Sequence, residues 1–136
     1  MSQNAPLHPA YFETRFLQDA PSPDWPEQFA IITAYATTGE TWTTEQNESA
    51  DRALEAELRK TGQWLRRLTG YSPNSDHAEP GWAVETSWIN ACAIGLRYQQ
   101  HAIYHVSGDE LSVTLCDERR ELVPVGKFRE RLKTHR

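Results

Sequence analysis

The stretch WAVETSWINACAIGLRYQQHAIYHV, Trp82–Val106, decides how the chain is read. It begins as a strand from Trp82 to Glu85, turns a polar corner at Glu85-Thr86-Ser87, and continues as a helix from Trp88 to about Gln99. Thr86 or Ser87 supplies the hydroxyl that holds a free backbone N–H at a helix start. Trp88, Ala91, Cys92, Gly95 and Leu96 recur at helical spacing and form the predicted inner face. The small residues at 91, 92 and 95 let that face lie close to a sheet. His101–Val106 follows as a second strand.

Upstream, Phe29-Ala30-Ile31-Ile32-Thr33-Ala34-Tyr35 is apolar at nearly every position, as a central strand buried on both sides requires. A polar loop leads to a helix over Glu45–Thr61, capped by Thr43 or Thr44 and stopped by Gly62. Ala50, Ala53, Leu54, Glu57, Leu58 and Thr61 form its predicted inner stripe. Glu48, Asp51, Arg52, Glu55, Arg59 and Lys60 form the solvated face. Trp64–Tyr71 reads as a strand, and residues 72–81 as turn chemistry. Downstream, Ser107-Gly108-Asp109 turns a hairpin into Glu110–Cys116, which alternates cleanly. Asp117–Arg120 is a charged turn, Glu121–Val125 a short strand, and Lys127–His135 a basic helix expected to be solvated and dispensable.

This order predicts an α+β fold with a ferredoxin-like split βαβ core (β-α-β-β-α-β). An additional C-terminal hairpin and terminal arms flank that core, and two helices cover one face of a mainly antiparallel sheet. The other face is left open or covered by the arms. The expected divisions are an N-terminal arm over 1–26, one α+β domain over 27–126, and a basic C-terminal helix or tail over 127–136. Within the arm, 11–16 alternates enough for a strand, and three prolines between Asp19 and Pro26 make a loop.

The 136 residues suit one domain. Their net charge of −5 disfavours nucleic acid as a partner. Cys92 and Cys116 form no CxxC pair and read as reduced, partly buried thiols of a cytoplasmic protein. MSQNAPLHPAYF has neither the basic nor the apolar segment of a secretory signal, and no apolar run approaches the ~18 residues of a membrane span.

FAIITAY, an Asn near a helix start (Asn47), the Gly that ends that helix, Trp82-x-x-Glu85-x-Ser87, and Tyr98-Gln99-Gln100-His101-Ala102-Ile103-Tyr104 occur here in one order. Together they resemble the DUF3293 family, small bacterial proteins whose name records that no function is assigned. The resemblance spans about Phe29–Cys116. The Asn-Pro that the family carries after its first strand stands here as Ala36-Thr37. The resemblance implies an intact domain and no mechanism.

Function is therefore argued from residue types. Thr33, Tyr35 and Asn47 belong to the exit of a strand and the start of the next helix, a frequent ligand location in βαβ units. Tyr35 can stack on a small planar ligand and Asn47 can hydrogen-bond it; Asn47 can equally tether the intervening loop. Trp82, Glu85 and Ser87 are expected to share a polar pocket with them, together with Gln100, which can also bridge loop carbonyls. Glu85 could act as a general base, and the alternative is that it pairs with Arg97 beside a capping hydroxyl. No zinc spacing links His101, His105 and other ligands, and no nucleophile motif, metal or cofactor signature occurs. The leading expectation is a cytoplasmic domain that binds a small polar ligand, with a homodimer through an open sheet face or edge strand. The alternatives are a hydrolase or transferase using Glu85, and a protein-interaction module acting through the basic tail.

Overall fold

The computed structural model describes residues 9–19, 24–35, 42–74, 77–116 and 121–134. A 3-10 turn, Pro9–Phe12, precedes β1 (Arg15–Gln18) and β2 (Gln28–Ile32). Then come α1 (Thr44–Lys60), β3 (Leu65–Tyr71), β4 (Ala78–Val84) and α2 (Trp88–Arg97). The chain continues through β5 (Ala102–Ser107), β6 (Glu110–Leu115), β7 (Leu122–Lys127), α3 (Phe128–Arg131) and β8 (Leu132–Lys133). The strands form one sheet in the order β7-β6-β5-β2-β4-β3-β1-β8, antiparallel except for the β1–β8 pair. The fold is α+β with a mostly antiparallel sheet.

The two long helices begin where capping chemistry places them. Thr43 and Gln46 form a reciprocal capping box at α1, and the Ser87 hydroxyl accepts from the Asn90 N–H at α2. α2 ends with Gln99 at φ 60°. The Gln99 and Gln100 N–H groups then bond the Leu96 and Gly95 carbonyls, the hydrogen-bond pattern of a Schellman motif.

Both sheet faces are covered. One packs Ala30, Ile32, Trp82, Val84 and Ile103 against Leu54 and Leu58 of α1 and Ala91, Cys92 and Ile94 of α2. The other gathers Phe16, Phe29, Ile31, Leu68, Val106, Leu111, Val113 and Phe128 beneath Tyr11 and Trp25. The terminal segments therefore close the face through which association was expected; β7 remains a sheet edge.

The topology requires the sheet to curl. Laid flat, seven inter-strand spacings would separate β7 from β8 by about 34 Å. The five residue steps from Lys127 to Leu132 span at most about 18 Å. Arg131 fixes the closure. It is 8% exposed, and its guanidinium donates to the carbonyls of Tyr11, Thr14 and Val125. Gly126 makes room for it: at φ 146°, a Cβ there would stand 2.8 Å from the Arg131 Nη2.

Several expectations need correction. Asp51 faces inward because it shares the stripe of Leu54 and Leu58 at i, i+3 and i+7, whereas Ala53 points out. Leu96 is exposed and Ile94 buried, since the close contact made by Ala91, Cys92 and Gly95 centres the stripe away from position 96. β4 begins at Ala78, inside the stretch read as a turn, because residues 78–81 complete the ladder with β3. The basic C-terminal helix stops at Arg131, and Leu132 and Lys133 pair with β1 instead. Phe128 and Arg131 belong to the core, so this segment is not a solvated tail. The charged turn at 117–120 lies outside the described residues.

Candidate functional site

The polar groups nearest the exit of β2 are organised by a buried ion pair. Asp51, one turn after Asn47 on α1, is 7% exposed. Arg67 of β3 meets it with two parallel bonds, Nη1 to Oδ1 at 2.8 Å and Nη2 to Oδ2 at 2.9 Å. The Trp82 indole N–H donates to Asp51 Oδ1 at 3.2 Å, and the Arg67 guanidinium lies 4.4 Å from the Trp82 ring centroid. Planar bidentate pairing and stacking on an aromatic face are guanidinium properties that lysine lacks. Both Asp51 oxygens are occupied, so the carboxylate is built to hold Arg67 and not to abstract a proton. The Arg67 side chain keeps 29% exposure, and its Nε makes no hydrogen bond among the described residues.

Two strands approach closely here. A Cβ on Gly81 would stand 2.8 Å from the Ile32 carbonyl oxygen, so only glycine fits this crossing of β2 and β4. The close approach lets the Thr33 hydroxyl donate to the Pro80 carbonyl at 2.9 Å while accepting from the Tyr35 N–H at 3.2 Å. Gln100, buried, donates through Nε2 to the carbonyls of Tyr35 at 2.8 Å and Tyr98 at 3.1 Å, tying the β2 exit to the end of α2. Desolvation raises the Tyr35 phenol pKa, with the Asp51 carboxylate next in effect and Arg67 opposing.

Thr33, Tyr35, Trp82 and Gln100 thus sit around one end of the sheet, with the half-buried Asn47 one helical turn from Asp51. Glu85 and Ser87 do not join them. Ala30 pairs with Val84 and Ile32 with Trp82, so Glu85 continues the ladder away from the β2 exit. Strand rise alone puts Ile32 about 10 Å from the level of Glu85, and Tyr35 lies beyond Ile32. The single pocket joining Tyr35, Asn47 and Glu85 is corrected on this point: antiparallel pairing sends the ends of β2 and β4 in opposite directions. Glu85 is exposed, its backbone N–H bonds the Trp64 carbonyl, and Arg97 pairs with Glu57 instead. Ser87 is occupied as the α2 cap.

Asp51 and Arg67 are the members that sequence reasoning missed. The available signals were an acid at stripe spacing with Leu54 and Leu58, and an indole N–H at Trp82 that needs an acceptor once buried. Among the described residues no group of three or more His, Cys, Asp and Glu side chains could hold a metal ion. Among them, too, no helix is long and apolar enough to cross a membrane.

Fold and site together define a small α+β domain with a polar cluster at one end of an antiparallel sheet. Residues 32–103, just over half of the chain, match the family model described as "Protein of unknown function (DUF3293)". The chain belongs to the DUF3293 family. No curated protein and no solved structure matches it. The match contains every residue of the Asp51 cluster and excludes the aromatic arms. Ala36-Thr37 lies outside the described residues.

Proposed function

We propose that this is a binding domain for a small, planar, polar ligand, received at the exit of β2 by Tyr35, Asn47 and the outward edge of Arg67. We also read β2-α1-β3-β4-α2-β5 as a ferredoxin-like split βαβ unit, supported by the antiparallel order β5-β2-β4-β3 at the centre of the sheet. Cytoplasmic location is supported by Cys92 and Cys116, two buried thiols. The observation that carries the binding reading is the state of Arg67. It is aimed by Asp51, stacked on Trp82 and still partly open at its edge. A guanidinium held in this way presents donors whose rotamer entropy is already lost, which favours a ligand carrying acceptors in its plane.

A thermal-shift screen of nucleosides, amino acids and sugars tests it. A ligand at a hundredfold excess over its Kd stabilises the folded chain by about 2.7 kcal/mol. The shift is expected to shrink in Tyr35→Phe and Asn47→Ala, which leave the ion pair in place. An absence of stabilisation by every class, or a shift unchanged in both variants, would overturn the reading.

A further inference from the structure

On the helix-covered face, one buried titratable group stands apart from the Asp51 cluster. His105 of β5 lies between Ala30 of β2 and Ser112 of β6 in register. It is 3% exposed, and its Nε2 has no hydrogen-bond partner among the described residues. The ring's hydrogen bond goes to the backbone of Thr86, one residue before the cap of α2. That bond favours the protonated ring, as a carbonyl acceptor does. The proton of the neutral ring therefore sits on Nδ1 and Nε2 is bare.

We propose that His105 is an acid-sensitive latch: neutral, it ties β5 to the corner where α2 begins, and protonation loosens that corner. Among the described residues no carboxylate acts on the ring to hold an imidazolium there. β2 contributes Ala30, β6 contributes Ser112, and the corner contributes Thr86 and Ser87. The positive end of the α2 dipole also lies at this corner and opposes a cation. The titratable groups on these elements are Glu85 at the corner, Glu110 at the start of β6, His101 before β5, Cys92 in α2, Arg97 at the far end of α2, paired with Glu57, and Tyr104 of β5, whose ring packs on the opposite face. The first three are exposed and Cys92 is buried; none affects the proton affinity of the ring, which burial lowers and only the Thr86 contact offsets.

The sign follows. A histidine held neutral has a folded-state pKa below its unfolded value of about 6.5, so its contribution is complete above that pH. The contribution is lost as pH falls towards the folded-state value, by up to about tenfold in the folding constant per pH unit.

Urea unfolding of the full chain between about pH 7.5 and pH 5 reads this out, because those values bracket the ordinary histidine pKa. The wild type is expected to lose up to about tenfold more in folding constant per pH unit than His105→Gln. Parallel profiles overturn the latch. If His105→Gln does not fold, the wild-type His105 imidazole resonances decide: the ring is to remain neutral through the ordinary histidine value of about 6.5, and titration at that value overturns the proposal. Hydrogen exchange tests the locality. Asn90 and Ala91 donate their amides to the Ser87 hydroxyl and carbonyl, and their protection, corrected for intrinsic rate, is to fall on acidification in the wild type. Protection that does not change also overturns the proposal.

Discussion

The face of the sheet beneath α1 and α2 carries ion pairs that tie each helix to a neighbour, whereas the opposite face is closed by aromatic rings and the buried guanidinium of Arg131. On the helix side, Asp51 is matched to Arg67 and Glu57 to Arg97. On the arm side, Trp25, Phe29, Trp64 and Phe128 pack with centroids 5.0 to 5.9 Å apart, and among the described residues Arg131 bonds only carbonyls. Tyr104 belongs to this second environment. Its ring meets Phe16 edge-on at 5.1 Å, and burial pushes its phenol up to about 12. The family match contains both α1 and α2 and excludes Tyr11, Phe16, Trp25 and Phe128 of the arm side. The difference teaches that the arms stabilise while the helices position polar groups.

The largest expected effect tests the arms. Phe128 is 2% exposed and touches the rings of Phe16, Trp25 and Phe29. Phe128→Ala should cost about 4 kcal/mol in urea unfolding, the transfer and cavity terms of a buried phenylalanine together. A cost below about 1 kcal/mol, less than this mechanism allows, would return the C-terminal segment to a solvated appendage.

Next comes the buried pair. Asp51→Ala leaves a guanidinium and an indole N–H without their acceptor, a loss of about 3 kcal/mol. The partial exposure of Arg67 lets water relieve some of it, which places the figure at the low end for broken buried pairs. Replacing both partners, as Asp51→Leu with Arg67→Met, should recover most of the loss, because removing a charge pair together can be nearly neutral. If the double variant is as unstable as the single one, packing and not charge holds α1 to β3.

The helices were legible because their signals are local: capping hydroxyls, a 3.6-residue stripe and small residues in contact. The second face was far less so. Tyr11, Phe16, Trp25 and Phe128 are spread over the whole chain with no shared period, so only the curled sheet reveals that they meet. Of the candidate site, Thr33, Tyr35, Trp82 and Gln100 were readable as polar or aromatic groups at junctions. Arg67 was not, because its strand is weakly patterned and its partner Asp51 looks like one more charge on a charged helix. Glu85 and Ser87 were grouped with the others because residue type does not reveal register. The pairing of Ala30 with Val84 separates them.

The smallest effect sharpens the contrast within the helix face itself. Arg97 donates to Glu57 Oε2 and the Tyr98 hydroxyl to Oε1, joining α2 to α1, but Arg97 and Glu57 are 55% and 30% exposed. The Arg97 bond holds the Glu57 carboxyl below its usual pKa, so the contribution is present above about pH 4.5 and fades as pH falls through the folded-state value. Solvent screening limits the coupling to about 0.5 kcal/mol. A double-mutant cycle of Glu57→Gln and Arg97→Met measures it, and raising salt to about 1 M, where the screening length is about 3 Å, should remove most of it. The Asp51–Arg67 coupling should keep nearly its full value under the same salt, since 10% exposure of the Asp51 side chain leaves little room for ions. Equal salt responses would mean that both pairs lie in water, and Arg67 would lose the fixed orientation on which its proposed role as a ligand donor depends.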